Sequence, residues 1–353
     1  TQFTQPQKVT IDIPLMKEIT ETPGLPGYEE AIQAVVKKHF DESCDEVRFD
    51  RMGNLIGKKK SSLGDSCKDP VRVMIAAHCD ELGMMVRHID ADGYLHCMRM
   101  GGIDPISCVS QVVTVHGKRN IKGVIPHGTP VKDNAINPND LRVDTGLPAE
   151  EVKALVEPGN LISFCQEFIQ FDENILMARN FDDRMSTYCL VEAMRRVGPT
   201  KAEIYAVSST QEELGTRGIE PLVRVIEPVV GLAIDGAMPH SCNVDKTART
   251  CDLGEGTGIY LIDNFTVGSP PLIKFLFELG EKYNISCQKN IGGGTDANKI
   301  QRAGKGCLAT TIGVPTRYMH STTQLCHVDD VEATIQLMIR FMEHAHELGD
   351  VTR

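Results

Sequence analysis

Hydrophobic positions along the chain follow two alternating rhythms. Four short apolar runs have strand length: Val71 to Ala77, Ile204 to Val207, Val229 to Ile234 and Leu308 to Val314. Other stretches carry apolar residues at helical spacing. After Gly27 these are Ile32, Val35, Val36 and Phe40, and between Met185 and Val197 they are Met185, Cys189, Ala193 and Met194. Leu272, Phe275, Leu276, Leu279 and Tyr283 repeat that spacing behind Pro270 and Pro271, which suit a helix's first turn. A long helix from Val331 to Leu348 closes the pattern. Continuous apolar strands interleaved with amphipathic helices predict an α/β domain, with a mainly parallel sheet covered by helices.

The middle of the chain breaks this rhythm. Between about Met84 and Asp172 helical periodicity is nearly absent. Asp90-Ala91-Asp92-Gly93 separates Met84–Ile89 from Tyr94–Met98, and Gly117-Lys118-Arg119-Asn120 separates Val112–Val115 from Ile121–Ile125. Both are hairpin signals. The mixed pattern resumes after Ala178. The expected organisation is a smaller β domain, residues 84–172, inserted into an α/β domain made of residues 1–83 and 173–353.

Composition narrows the function classes. The 353 residues suggest two domains at roughly 150 residues each. A balance of 37 basic against 48 acidic side chains gives a net charge of −11, which argues against a nucleic-acid footprint or an anionic membrane surface. No apolar run approaches the ~18 residues of a membrane span. Thr1 to Thr10 is polar, without the apolar region of a signal peptide. The 12 cysteines include no C-x-x-C pair and read as reduced thiols of a cytoplasmic protein. Tryptophan is absent, which disfavours aromatic platforms for sugars or bases.

Chemistry-bearing residues gather where strands should end. His78 follows Val71–Ala77, Glu212 and Glu213 follow Ile204–Thr210, Asp235 follows Val229–Ile234, and His320 comes shortly after Leu308–Val314. In open α/β sheets, ligands bind beyond the carboxyl ends of the strands. Asp182 and Asp183 lie just before a predicted helix and join the set. Singly these signals are weak. His-x-Asp occurs at His39, His78, His88 and His327, and only His78 follows a buried-looking strand. Glu29-Glu30 and Glu150-Glu151 read as solvated charge, and Asp329-Asp330 as a helix N-terminus.

Together, two histidines and several carboxylates suit zinc, cobalt or manganese. Two divalent ions balance the charges of Asp182, Glu213, Asp235 and one bridging hydroxide. Glu212 is placed to carry a proton to or from a bridging water, and Asp80 to orient the His78 imidazole. No Gly-x-Ser-x-Gly occurs, which disfavours a serine hydrolase. Gly254 to Gly258 does not match a dinucleotide fingerprint. Gly292-Gly293-Gly294 is read equally as backbone near a substrate or as a turn before a helix. Cys79, alternating with His78, is read as a packing residue.

Six segments in order carry a family resemblance. They are Ala77-His78-Cys79-Asp80-Glu81-Leu82-Gly83, Asp182-Asp183-Arg184, Gln211-Glu212-Glu213-Leu214-Gly215, Ala233-Ile234-Asp235, Gly292-Gly293-Gly294-Thr295-Asp296-Ala297 and Arg317-Tyr318-Met319-His320-Ser321. The chain resembles, over nearly its whole length, the tetrahedral dinuclear-metal aminopeptidases of the glutamyl-aminopeptidase kind. The resemblance implies a zinc-peptidase-like fold and two divalent ions per chain bridged by Asp182. His78 and Asp235 would complete one ion's ligands, and Glu213 and His320 the other's. It further implies Glu212 as general base, Asp80 as support for His78, peptide substrates, and a homododecamer assembled through the inserted segment. Alternatives are a dinuclear-metal deacylase or carboxypeptidase, and a non-enzymatic self-assembling subunit.

Overall fold

The computed structural model describes residues 11–127, 131–132, 135–136, 140–239, 241 and 250–351. The four apolar runs form adjacent parallel strands in the order Glu203–Ser209, Arg72–His78, Val230–Ala237 and Leu308–Arg317. Antiparallel strands Leu55–Lys59 and Glu46–Phe49 extend one side. Gln324–His327, Ile175–Ala178 and Ile169–Gln170 extend the other. Thr257–Ile262 pairs with the 308–317 strand and carries Cys287–Ile291 beside it, completing an 11-stranded sheet.

Alternation along a strand decides which helices it meets. Val73, Ile75 and Ala77 enter the core shared with helices Ile13–Glu21, Glu30–Ser43, Phe181–Arg196 and Val328–His344. Met74 and Ala76 face the opposite way, toward helices Ile219–Ile226 and Ala297–Ile300. Both faces are therefore buried, as continuous apolar runs require. Helix Phe181–Arg196 is sandwiched between sheet and outer helices and is buried from Phe181 through Met194.

A second sheet of six strands comes from residues 83–164, between two sequence segments that build the first. Its order is Arg142–Val143, Leu95–Met100, Gly83–Ile89, Leu161–Phe164, Val112–His116 and Asn120–Val124, antiparallel throughout. It has a separate apolar core that includes Met84, Val86, Cys97, Val113, Val115 and Ile162. The hairpin at Asp90–Gly93 closes because Asp90 Oδ1 accepts from the amides of Asp92 and Tyr94, with Gly93 at φ +92°.

Asp329 and Asp330 lie in the first turn of helix Val328–His344, as expected, and the cap bond runs from Asp329 N to His327 Nδ1, 3.1 Å. Asp330 is fully buried and accepts from Gly254 N and Gly256 N, each at 2.7 Å. The Gly254–Gly258 segment is thus a tethered turn leading into the 257–262 strand. Arg184, the last residue of the Asp-Asp-Arg motif, is also fully buried. Its guanidinium donates to the carbonyls of Cys79, Ile19 and Thr22 at 2.6, 2.6 and 2.7 Å, tying the N-terminal helix to the end of the 72–78 strand. Cysteines among the described residues are free thiols, and Cys242 lies outside them. No helix among the described residues is long and apolar enough to cross a membrane.

Candidate metal centre

Strand register brings the chemistry to one edge. Ser209 pairs with His78 and Ala77 with Ile234, so His78, Asp235 and the segment beyond Ser209 emerge at the same level. Asp235 is inside its strand rather than after it, because Gly236 and Ala237 go on pairing with Val314 and Pro315. Asp182 comes from the irregular first turn of helix Phe181–Arg196. There Asp182 and Asp183 have non-helical backbone angles and share a cis peptide bond. Glu212 and Glu213 occupy a tight turn, Glu212–Leu214, and His320 sits at φ +62° after the 308–317 strand.

Asp182 is the centre of the arrangement. Its Oδ1 lies 3.4 Å from His78 Nε2, and its Oδ2 lies 3.4 Å from His320 Nε2. One carboxylate therefore faces two imidazoles with different oxygens. Glu212 Oε2 is 3.9 Å from His78 Nε2, and Glu213 Oε2 is 4.0 Å from His320 Nε2. Ligand atoms of His78, Asp182 and Glu213 lie within 4.8 Å of one another, and so do those of Asp182, Asp183 and Asp235.

A surrounding layer fixes these groups. Asp80 Oδ1 lies 3.4 Å from His78 Nδ1. The same carboxylate accepts from Glu212 N at 3.0 Å and Glu213 N at 3.1 Å, contacts that sequence reasoning did not assign to it. His320 Nδ1 lies 3.0 Å from the carbonyl of Gly102, which can only accept, so Nδ1 carries the proton and Nε2 is left for a ligand. Gly102 is close: a Cβ there would stand 3.0 Å from His320 Nδ1. Gln324 Oε1 accepts from Asp182 N at 2.7 Å, and Asp183 Oδ2 from His78 N at 3.2 Å. Cys79 packs into the main core, where burial pushes its thiol far up.

Electrostatics support a cationic occupant. Burial, reinforced by the Asp182 charge, raises Glu213 to about 8 and Asp235 to about 8. Burial also lifts Glu212 well above the usual carboxylate range. Asp182 goes the other way, because His320 and His78 together outweigh its burial. His320 is held at about 9, chiefly by Asp182. Burial pulls His78 down, but Asp182 and Asp80 outweigh it and hold the imidazole well up. So much buried negative charge needs compensation, which divalent cations supply. Glu213 Oε1 is buried without a hydrogen-bond partner among the described residues, which fits a donor awaiting an ion.

The centre opens into a cleft of about 820 Å³, walled by Met238, Tyr260, Phe265 and Ile291 beside Gly293 and Gly294. Two nearby carboxylates were not read from sequence. Asp296 is buried, accepts from Ser209 Oγ at 2.6 Å and is raised by burial to about 6. The quoted Gly292–Ala297 segment was its only signal. Glu29, read as solvated, is only 5% exposed, and burial raises it to about 7.

Parallel strands ending on clustered imidazoles and carboxylates define a metal-dependent hydrolase centre. Known proteins narrow it to an aminopeptidase. The sequence profile of the M42 glutamyl aminopeptidase family matches residues 53–337. The chain is 35% identical to a lysyl aminopeptidase of Pyrococcus furiosus, across 94% of this chain and 97% of that relative. Its fold is similar to an aminopeptidase of the archaeon Desulfurococcus kamchatkensis, with TM-score 0.90, 30% identity and 96% coverage of both chains. It is also similar to the TET1 peptidase of Pyrococcus horikoshii, which can assemble into a tetrahedron or a large octahedral shell. There the TM-score is 0.82 and the identity 28%, over 94% of this chain and 98% of that one. The chain belongs to the M42 glutamyl aminopeptidase family, and it is a metal-dependent aminopeptidase.

Proposed function

We propose that the chain removes N-terminal residues from short peptides with two divalent ions, zinc by preference and cobalt or manganese as substitutes. The carrying observation is the Asp182 carboxylate, whose two oxygens each face a different imidazole at 3.4 Å. In this reading Asp182 would be shared by both ions, His78 and Asp235 would hold one, and Glu213 and His320 would hold the other. When bound, the ions supply Lewis acidity toward the scissile carbonyl and lower the pKa of water. Glu212 takes the proton of the attacking water and delivers it to the leaving amine. Asp80 steadies both sides, through His78 Nδ1 and the Glu212 and Glu213 amides.

Uncharged side chains of the substrate suit the Met238, Tyr260, Phe265 and Ile291 wall. The inserted domain is the six-stranded sheet, residues 83–164, because Ile169–Gln170, inside the expected 84–172 span, pairs into the larger sheet. It borders the cleft through Gly102 and joins copies into a homododecamer, as the assembly of the P. horikoshii relative suggests. The protein works in the cytoplasm.

Metal analysis followed by a substrate panel tests the reading. Two ions per chain are expected, with turnover of leucyl-anilide above lysyl- and glutamyl-anilides. Glu212→Gln should keep both ions and lose ~10²-fold or more in kcat. Turnover of N-acyl amino acids without aminoacyl-anilide activity would favour the deacylase or carboxypeptidase. Bound metal with no hydrolysis would favour the structural subunit.

A further inference from the structure

Three consecutive amides beneath the metal centre are each held by a buried carboxylate oxygen. Asp80 takes Glu212 N and Glu213 N. The third, Gln211 N, donates to Glu29 Oε1 at 3.1 Å. That oxygen also accepts from Gly27 N at 2.7 Å. Glu29 immediately precedes helix Glu30–Ser43 and is 182 residues from Gln211 in sequence.

Gln211 is a residue that needs holding. Its backbone is left-handed, φ 55° and ψ 33°, a conformation that is unfavourable for a non-glycine residue. It links the 203–209 strand to the turn bearing Glu212 and Glu213. Relaxation at Gln211 reaches Glu212, the next residue, first, while the Glu213 amide stays on Asp80. The same helix grips the strand just before the turn: Gln33 Nε2 donates to Ser208 O at 2.9 Å and to Gly53 O at 3.1 Å. Gly27, at φ +84°, lets its short turn fold back and present its amide to Glu29. Glu29 does not line the reaction cleft. It borders a separate cavity of about 620 Å³ together with Gln33, Arg51 and Gln211.

We propose that Glu29 is a positioning residue for Glu212: by holding the Gln211 amide it fixes the left-handed turn and aims the Glu212 carboxylate. This rests on Glu212 as general base. Misplacement of a catalytic group by about 1 Å can cost ~10²-fold in rate. Steady-state kinetics, metal content and thermal unfolding are measured for Glu29→Ala, Glu29→Asp, Glu29→Gln, Glu212→Gln and the double variant Glu29→Ala/Glu212→Gln. Glu29→Ala should keep both ions and lose about 10- to 100-fold in kcat with KM within about twofold. Glu29→Asp retracts the acceptor by one methylene and should lose kcat in the same sense if the alanine variant does not fold. Glu29→Gln keeps an acceptor oxygen and should recover kcat to within about fivefold of wild type. In the Glu212→Gln background, Glu29→Ala should have no further effect on the residual rate. Wild-type kcat in Glu29→Ala or Glu29→Asp, loss of metal, or an additive effect in the double variant would overturn the inference. Wild-type activity in Glu212→Gln would instead refute the base assignment, whatever the Glu29 variants do.

Discussion

Strand Arg72–His78 in the larger sheet and strand Gly83–Ile89 in the smaller one are neighbours in sequence, yet they serve the site differently. The first is buried along nearly its whole length and sends His78 into the metal centre. The second is mostly buried from Gly83 to Val86 and exposed at Arg87 and His88. Its sheet reaches the site mainly through backbone. Gly102 O takes the His320 ring proton, and Asp104 N donates to His320 O at 3.2 Å. Parallel strands buried on both faces must all finish at one edge, so their ends are a natural place to collect ligands. An antiparallel sheet spreads its strand ends over two edges and here contributes shape and one well-placed carbonyl.

The sharpest break of this contrast is Asp182→Ala. It removes the carboxylate shared by both halves of the centre, so both ions should be lost and kcat should fall by about 10³-fold or more. Elemental analysis that still finds two ions per chain would reject the bridging role.

Core truncations come next. Ile75→Ala and Ile162→Ala each empty a fully buried site, one in each sheet, and each should cost about 2–5 kcal/mol. Hydrogen exchange should place the Ile162→Ala loosening in residues 83–164, with metal affinity kept. Ile75→Ala should weaken both stability and metal retention. Identical exchange patterns in the two variants would show that the sheets unfold as one unit.

A smaller effect is expected from Gly102→Ala. Its added methyl presses on His320, which should weaken binding of the ion at His320 by about tenfold while the other ion stays. Competitive chelation reads this directly, and equal weakening of both ions would contradict separate sets of ligands.

The mildest test uses pH. Burial raises Asp330, which tethers the larger sheet's Gly254–Gly256 turn, to about 7. The folded state therefore binds a proton that the unfolded chain releases near pH 4, and local stability should fall as pH rises from about 4 to 7. Burial lowers His116, whose Nε2 lies 2.8 Å from Ser163 Oγ in the smaller sheet. There the unfolded chain takes the proton first, so stability should fall as pH drops through about 6.5. Local exchange rates should show the two opposite slopes. Asp330→Asn and His116→Gln should each flatten one of them.

Much of this molecule is legible in sequence, for a physical reason. Buried parallel strands read as unbroken apolar runs, so His78 and the residues after Val207 and Ile234 stand out as polar groups at their ends. The Asp90–Gly93 and Gly117–Asn120 turns carry their own chemistry and mark the hairpins. The edge strand Glu46–Phe49 and the inner strand Thr257–Ile262 carry no clear signal, since their short mixed runs gain identity only from their partners. Glu29 looks solvated because it stands beside another acidic residue, and the Asp329-Asp330 pattern shows only a place in the first turn of a helix. The burial of Glu29 and Asp330 follows from amides at Gln211, Gly254 and Gly256, distant in sequence and invisible to any local pattern. The Gly102 carbonyl carried no sequence signal at all.

Arg184 bears on how far this chain can be trimmed. Its guanidinium stays charged at any ordinary pH and spends its donors on Ile19 and Thr22 as well as on Cys79. A truncated version beginning after Gly24 would strip away the Ile19 and Thr22 carbonyls and leave the cation with only Cys79 O and the Glu81 carboxylate, one residue from Asp183 and two from Asp182. Shortened variants should therefore keep Ile13–Glu21 intact, and a protease that clips between Thr22 and Gly24 should act as an inactivator rather than as a trimmer of a loose end.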